Sequence, residues 1–341
     1  MSTLQVDTLQ RRDGTDYTLS ERNKIINGDF QIAQRNTSFT STDSLNNDVK
    51  YTLDRWQLFS DGNDIVDVSQ ETTTVPTNQR YAISLDVETA NKKFGIAQKI
   101  EQDNCVDLIG SKVTLSFKAK VSATTNLDNV KCAIIAWDGT ADTLTDDIIS
   151  AWNAEGVDPT LATNYTYENT PTNLNLTTTY ATYTTTATID TSGAKNIVVF
   201  IWSDVTATST GEFLYITDVQ LEKGPKHTTF ERKTRGKQLA ECQRYYYHTF
   251  DGVAGASENG FQLQAGASFN GNHVAHHVYP VRMHSAPTCL GYNSSGTVNN
   301  FTSSVGDVTA VFYSTRANGV SVYASFNGTY LRYNFTADAE L

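Results

Sequence analysis

Residues 112–121 read KVTLSFKAKV, and apolar and polar residues alternate along the whole stretch. A period of two places alternate side chains on opposite faces of a β-strand. The odd-numbered positions hold Val, Leu, Phe, Ala and Val, while Lys, Thr and Ser occupy the even ones. The stretch therefore predicts a strand with one buried face and one solvated face.

Eight further segments between residues 23 and 232 have the same character. They read KIINGDFQIAQ, TLDRWQLF, YAISLDVET, FGIAQKIEQ, VKCAIIAW, YATYTTTATI, NIVVFIW and EFLYITDVQLE. Clusters of Gly, Asn, Asp or Ser bound them, as is typical of strands joined by turns. About nine or ten strands in so short a region favour two packed sheets, so we expect residues 23–232 to form a β-sandwich.

The composition agrees with an all-β chain and excludes several functions. Of 341 residues only 18% are charged, while Thr, Ser, Asn and Tyr are abundant. The formal net charge of −11 argues against nucleic-acid binding, which needs a basic surface. No apolar run is long enough to span a membrane, so no membrane insertion is expected. The four cysteines are widely spaced, which favours reduced thiols and assembly inside a cell over a zinc site.

The pattern changes after residue 232, where GKQLAECQRYYYH spaces Leu239, Cys242 and Tyr246 as on one stripe of a helix. We expect a short helical connector over residues 233–248, which is too short to be stable without packing. Strand-like segments return over residues 249–341 and predict a second, smaller β-sandwich. Its NG, SG and NG dipeptides are expected to form hairpin turns.

Several phrases, in order along residues 23–290, resemble one known family. The phrase NKIINGDFQIAQRNTSFT is followed by YTLDRW, then by DVQLEKG with FE, by CQRYY, and by HHVYPVRMHSAPT. Together they resemble jelly-roll domains of bacteriophage tail fibres and related virion proteins, which in turn look like carbohydrate-binding modules. Asn36 stands where those domains more often have Gly. The matching residues of the first two phrases are Asn27, Gly28, Asp29, Phe30, Gln34, Arg35, Asp54, Arg55 and Trp56.

The resemblance implies a virion fibre, assembled in the host cytoplasm. Because the short connector helix must pack against something, either its own domain or other copies of the chain, we expect a homotrimer. The connector residues Leu239, Cys242 and Tyr246 are then expected to lie near the threefold axis. The start of the chain, residues 1–22, resembles the anchoring segments by which fibres join another virion protein, such as a tail adaptor, tail tube or capsid protein. An extended segment can add to a sheet edge of that partner. The expected anchoring residues are Thr3, Leu4, Gln5, Val6, Asp7, Thr8, Leu9 and Gln10.

Residues 138–179 form a long excursion with little strand periodicity, and such excursions are often functional. Trp152, Tyr165 and Tyr167 lie on it, and exposed aromatic rings stack well on sugars. The resemblance implies a host surface glycan as the ligand, so these three residues are the candidate glycan-binding residues. One alternative is that the excursion packs on its own sandwich. Another is that the C-terminal sandwich, residues 249–341, contacts the host.

No catalytic motif occurs in the sequence, and an enzyme is not expected. No metal site is predicted; the resemblance alone implies that Asp29 and Asp218, on the first and last strands, could hold a structural calcium. Three other functions remain open at this point. They are a capsid (head) fibre or decoration protein of the same fold, a polysaccharide-degrading tail enzyme, and a free carbohydrate-binding module.

Overall fold

The computed structural model describes residues 21–251 and 260–341, and these residues are almost entirely β-structure, as expected. The helices there are α1 (Gln102–Cys105) and α2 (Arg235–Gln243), with 3₁₀ turns at Thr42–Ser44 and Val106–Leu108. None of these helices is long and apolar enough to cross a membrane. The strands of the first unit are β1 Ser38–Phe39, β2 Lys50–Tyr51, β3 Gln57–Ser60, β4 Val66–Glu71, β5 Ala82–Val87, β6 Phe94–Ile100, β7 Lys112–Val121, β8 Val130–Trp137, β9 Ile149–Ala151, β10 Thr160–Leu161, β11 Tyr165–Tyr167, β12 Ala181–Thr188, β13 Asn196–Ser203 and β14 Phe213–Lys223. Those of the second are β15 Tyr246–His248, β16 Phe261–Val278, β17 Thr288–Tyr292, β18 Asn300–Ser303, β19 Gly306–Thr309, β20 Val311–Arg316 and β21 Gly319–Asp338.

Two antiparallel six-stranded sheets form the first unit. Their strand orders are β1-β4-β5-β14-β7-β12 and β11-β8-β13-β6-β3-β2. Strands distant in sequence are therefore neighbours, and the chain crosses repeatedly between the sheets, as in a jelly roll. The core lies between the inner faces, where Leu115, Ile134 and Ile201 are fully buried.

The opening phrase NGDF is a bend and not the first strand that the alternation suggested. Asn27 has a positive φ, and Gly28 accepts a hydrogen bond from the backbone N–H of Val219 at 2.9 Å. A Cβ at Gly28 would stand 2.1 Å from the Val219 carbonyl oxygen. The phrase therefore clamps the start of the sandwich against β14, and only glycine allows so close an approach.

The outer face of the second sheet is buried along its central strands, and that of the first is exposed along β12 although Leu214–Glu222 of β14 are buried on both faces. Every residue of β8 and β13 is buried, whereas the even-numbered residues of β12 are exposed. Strands buried on both faces have near-continuous apolar runs, as in VKCAIIAW and NIVVFIW. The cover is the excursion 138–179, whose β11 extends the sheet beside β8 and whose β9 and β10 pair with each other.

A buried ionic cluster fixes the excursion to the sheet. The carboxylate of Asp204, which is wholly inaccessible, forms ion pairs with Lys93 and with Lys131, the latter at 2.9 Å. Lys93 also donates to the Ala154 carbonyl at 3.1 Å, and the Gly156 N–H donates to Asp204 at 2.9 Å. Burial opposes ionisation of Asp204, but the hydrogen bonds from the two lysines outweigh it and lower the pKa of its carboxyl group.

In the second unit, β21 spans twenty residues and pairs with β15, β16, β17, β18 and β20. Not all of the expected turns are present. Asn270 pairs with Asn327, and Gly271 with Phe326, so these two NG dipeptides lie opposite each other within continuous strands. A further NG dipeptide, Asn318–Gly319, does lie at a turn, because Arg316 pairs with Gly319 across it. The SG dipeptide does turn, because the Gly296 N–H donates to the Asn293 carbonyl at 3.1 Å.

Charged and aromatic side chains join the two units through a buried interface. Arg55 is 1% exposed, forms an ion pair with Glu340 and places its guanidinium 3.6 Å from the centre of the Tyr245 ring. Its Nη2 donates to the Lys99 carbonyl at 2.6 Å. The Lys99 ammonium donates in turn to the Leu341 carbonyl at 3.2 Å, and burial lowers its pKa to about 8.

Candidate functional site

The three candidate glycan-binding aromatics do not form an exposed platform. Tyr165 is 6% exposed, its ring centre lies 4.7 Å from that of Trp137, and its hydroxyl donates to the Thr145 carbonyl at 2.9 Å. Burial raises the pKa of Tyr165 to about 12. Its ring faces are used for packing under the excursion, so the expectation that Tyr165 stacks on a sugar is corrected.

Trp152 and Tyr167 are half-buried at the edge of the same apolar cluster. The Trp152 ring centre lies 6.1 Å from that of Phe200, and the Tyr167 hydroxyl donates to the Pro159 carbonyl at 2.8 Å. Burial also raises the pKa of Tyr167. Both side chains help to fix the excursion, and each is only partly exposed to solvent.

A polar cavity of about 130 Å³ opens elsewhere, where the bend 27–31 meets the loop before β5 and the segment after β14. Asp29 is 8% exposed, and the pKa of its carboxyl group is raised by burial, with the charge of Asp218 adding to the effect. Arg232 lies near it and donates to the Asn78 carbonyl at 2.9 Å. The lining residues are Asp29, Gln31, Gln79, Arg80, Tyr81, Arg232 and Lys233.

The chemistry of this polar cavity suits the hydroxyl groups of a sugar. Carboxylate, amide, guanidinium and ammonium groups supply donors and acceptors, and Tyr81 adds an aromatic ring. Its volume is smaller than the roughly 300–1,000 Å³ of cavities that enclose a whole ligand. It would therefore receive one ring or one substituent of a longer chain. The sequence phrases contained Asp29 and Gln31 but gave no sign that Arg80 or Arg232 would join them.

Asp29 and Asp218, with the side chains that contact them, do not fit the structural calcium that the resemblance implies. Asp218 is paired with the Lys118 ammonium at 3.0 Å and accepts a hydrogen bond from Gln79. The Gln31 amide lies 3.3 Å from the Asp29 carboxylate. Calcium needs about 6–8 oxygen ligands, whereas a lysine already supplies the positive charge at this position.

Within the described ranges, one group of three possible ligands lies close together: Glu101, Asp142 and His284. The His284 Nε2 is 3.9 Å from Glu101 and 4.0 Å from Asp142. Glu101 is already paired with the Arg244 guanidinium and accepts from the Tyr245 hydroxyl at 2.8 Å. Since Arg244 already provides a cation there, the cluster is an electrostatic contact between the two units.

The connector residues face their own chain. The helix α2 ends at Gln243, so Tyr246 lies on β15 and does not continue a helical stripe with Leu239 and Cys242, which corrects that part of the prediction. Cys242 is fully buried, which raises the pKa of its thiol, and Leu239 is half-buried. The Arg35 guanidinium lies 3.7 Å from the centre of the Tyr246 ring.

The anchoring residues Thr3 to Gln10 lie outside the described residues, so anchoring stays a prediction. The homotrimer likewise stays a prediction.

No protein-family model matches the chain, and the comparison with curated proteins finds no match either. The solved structures that resemble it include the following three. The enzymatically active domain of tailspike protein 4 of bacteriophage CBA120 is 15% identical over 60% of this chain, with a TM-score of 0.36. The match spans only 22% of that tailspike chain. A putative sugar-binding protein from Bacteroides thetaiotaomicron is 17% identical over 59% of this chain and 100% of its own, with a TM-score of 0.36.

The third structure is the module TmCBM61 in complex with β-1,4-galactotriose. It is 13% identical over 60% of this chain and 99% of its own length, with a TM-score of 0.32. These scores are low, so the assignment of a jelly-roll β-sandwich rests on the strand pairing described above.

Proposed function

We propose that this chain is a bacteriophage virion fibre protein whose N-terminal segment anchors it to another virion protein. In this proposal its jelly roll binds a glycan on the host surface, and the fibre acts by binding and not by catalysis. The observation that carries the proposal is the set of contacts that the fibre-like phrases make with one another. The first two phrases are distant in sequence from CQRYY, yet Gln34 and Arg35 contact Tyr246, and Arg55 contacts Tyr245, where the jelly roll meets the connector.

The first two phrases are tied together beneath the connector. The Trp56 indole N–H donates to the Asn27 carbonyl at 3.0 Å, and the Asn27 amide donates to the Asp54 carbonyl at 3.0 Å. Gln34 donates both to the Asp54 carboxylate and to the Tyr246 carbonyl, the latter at 2.8 Å. The residues that carry the resemblance thus hold the start of the jelly roll and the connector together. This shared structural role supports an architecture in common with the fibre domains that the sequence resembles.

The polar cavity at Asp29 is our candidate for glycan contact, in place of the buried Tyr165. A shallow site of this kind is weak when it acts alone, with a dissociation constant on the order of millimolar to micromolar. Repeated copies on a fibre raise the avidity without any new contact. A homotrimer is therefore part of the proposal.

Glycan-array binding of the purified chain tests the glycan assignment. Arg232→Ala and Tyr81→Ala should each lower the signal for the bound glycan by roughly tenfold, as the loss of one polar or stacking contact would. Arg282→Ala, an exposed arginine outside the cavity, is the matched control. Absence of any glycan signal for the unmodified chain would refute the glycan part of the proposal.

Deletion of residues 2–20 tests anchoring. The truncated chain should fold but be absent from assembled particles, because its docking segment is gone. Normal incorporation would contradict the anchoring assignment. Labelling the protein on intact particles would then distinguish a tail fibre from the alternative, a capsid fibre or decoration protein.

A further inference from the structure

Three strands of the seven-stranded sheet in the second unit carry exposed apolar side chains on one face. The end of β16, the strand β20 and the start of β21 lie side by side, with β21 in the middle. Val274 and Val311 both pair with Tyr323, while His276 and Tyr313 both pair with Ser321. Directly paired residues of antiparallel strands project to the same side of a sheet. We call this side the valine face; its exposed apolar residues are Val274, Val278, Val311 and Tyr313, and the hydrogen-bonded pair His276–Ser321 also lies on it.

The valine face is open to solvent in the single chain. Val278 is 77% exposed, Tyr313 is 67% exposed and Val274 is 46% exposed. The opposite side of the same strands is the buried side, where Val320 and Val322 are at most 3% exposed. Antiparallel sheets that face water on one side are normally polar on that side. This side instead carries four exposed apolar side chains beside the polar pair His276–Ser321, which favours a sheet that is covered on both faces.

Exposed apolar side chains are concentrated in this part of the molecule. Eight of the ten large apolar side chains that are exposed in the described ranges lie between residues 261 and 313. The other two are Val106 and Val157. Four of these eight, Val274, Val278, Val311 and Tyr313, lie together on the valine face. Grouped exposed apolar side chains mark an interaction site, whereas isolated ones do not.

The distribution of charge identifies the partner. Residues 261–341 contain three basic and three acidic residues, which cancel, so residues 1–260 carry the entire net charge of −11. Two copies of the chain therefore repel each other least through residues 261–341. On the three strands, over residues 274–278, 311–316 and 319–323, Arg316 is the single charged residue. A partner recognised through charge would find almost nothing to pair with on this face.

We propose that the valine face is covered by a second copy of this chain, and that it is the surface through which the protein self-associates. This inference rests on the homo-oligomer of the proposed function and names its contact surface. It moves that contact from the connector, whose residues are packed within their own chain, to the valine face.

The experiment is to measure the molar mass of the purified full chain by light scattering at micromolar concentration. The unmodified chain should be an oligomer. The double variant Val278→Asp/Tyr313→Asp should be monomeric, with the dissociation constant raised roughly 100-fold or more, because central apolar contacts dominate such interfaces. Val157→Asp is the matched control, since Val157 is 53% exposed on the excursion and away from the valine face. It should keep the mass of the unmodified chain.

A milder variant, Val278→Thr/Val311→Thr, keeps the shape of both side chains and serves if the aspartates prevent folding. It should weaken association measurably while the circular dichroism spectrum stays unchanged. A monomeric unmodified chain would overturn both this inference and the homo-oligomer. An unmodified oligomer whose mass both double variants retain would overturn the valine face alone. Glycan binding by the monomeric variant would leave the glycan proposal intact.

Discussion

At the scale of single residues, the buried carboxylate of Asp204 shows how one side chain holds the excursion in place. Asp204→Asn would leave Lys93 buried without a counter-charge, and Lys131 with only that of Asp158. Breaking a buried ion pair in this way costs about 3–5 kcal/mol, so we expect a loss of that order in the free energy of unfolding, measured in urea. Asp61→Asn removes an ion pair to Lys92 whose side chains are 43% and 39% exposed, and should cost less than about 1 kcal/mol. Equal effects of the two substitutions would contradict the role given to Asp204.

Asp86 provides a prediction of pH dependence. It lies directly opposite Asp67 on β4, and burial, followed by the charges of Glu88 and Asp67, raises the pKa of Asp86 to about 6. The folded chain then binds this proton more tightly than the unfolded chain, in which the pKa is about 3.9. Stability should therefore fall as the pH rises from about 4 to about 6.

Asp86→Asn should remove this penalty. Because Asp86 is partly exposed and solvent screens it, the gain at pH 7 should be at most about 1 kcal/mol, and it should vanish near pH 4. Thermal melts of the variant and of the unmodified chain across that pH range measure the difference. A gain that persists unchanged at low pH would show that the ionised carboxyl group is not its cause.

At the scale of elements, the excursion is a structural layer over β8 and β13, and Tyr165 is one of its central contacts. Tyr165→Ala should lower the free energy of unfolding by about 3–5 kcal/mol, as for other buried aromatic residues. Tyr165→Phe, which loses the hydrogen bond to Thr145, should cost about 1 kcal/mol. Thr166→Ala, at the exposed neighbouring position on β11, is the control. If Tyr165→Ala instead left stability unchanged and abolished adsorption to the host, the original interpretation of this side chain would be correct.

The sequence predicted the elements best where one face of a strand is solvated. KVTLSFKAKV is indeed a strand over Lys112–Val121, and its odd-numbered residues are buried in the core. Of its even-numbered residues the lysines reach solvent, whereas Thr114 and Ser116 are buried. Prediction failed where the cause is a distant contact. Asn327 and Gly328 have the local chemistry of a turn, but pairing with β16 keeps them extended. The polar cavity could not be predicted either, because Arg80 and Arg232 are distant in sequence and meet only after the sandwich has formed.

At the scale of the whole molecule, the interface between the two units makes their stabilities interdependent. Removal of residues 249–341 would uncover Arg55 and Lys99, which those residues bury, so the truncated jelly roll should be less stable than it is in the full chain. A loss of adsorption after that truncation would therefore not by itself identify the second unit as the receptor-binding end.

Glu340 allows this coupling to be measured directly. Its carboxylate pairs with Arg55 and, at 3.3 Å, with Arg35, and its side chain is 5% exposed. Glu340→Ala would leave two arginines without that carboxylate, and we expect a loss of about 3–5 kcal/mol in the free energy of unfolding. Asp338→Asn is the control, because Asp338 pairs with Arg35 at 3.0 Å but is 44% exposed and should contribute less than about 1 kcal/mol.

Calorimetry should give one unfolding transition for the unmodified chain and for Asp338→Asn. Glu340→Ala should give two, because the jelly roll and the second unit then unfold separately; a single unshifted transition would mean that the buried arginine contacts do not couple them.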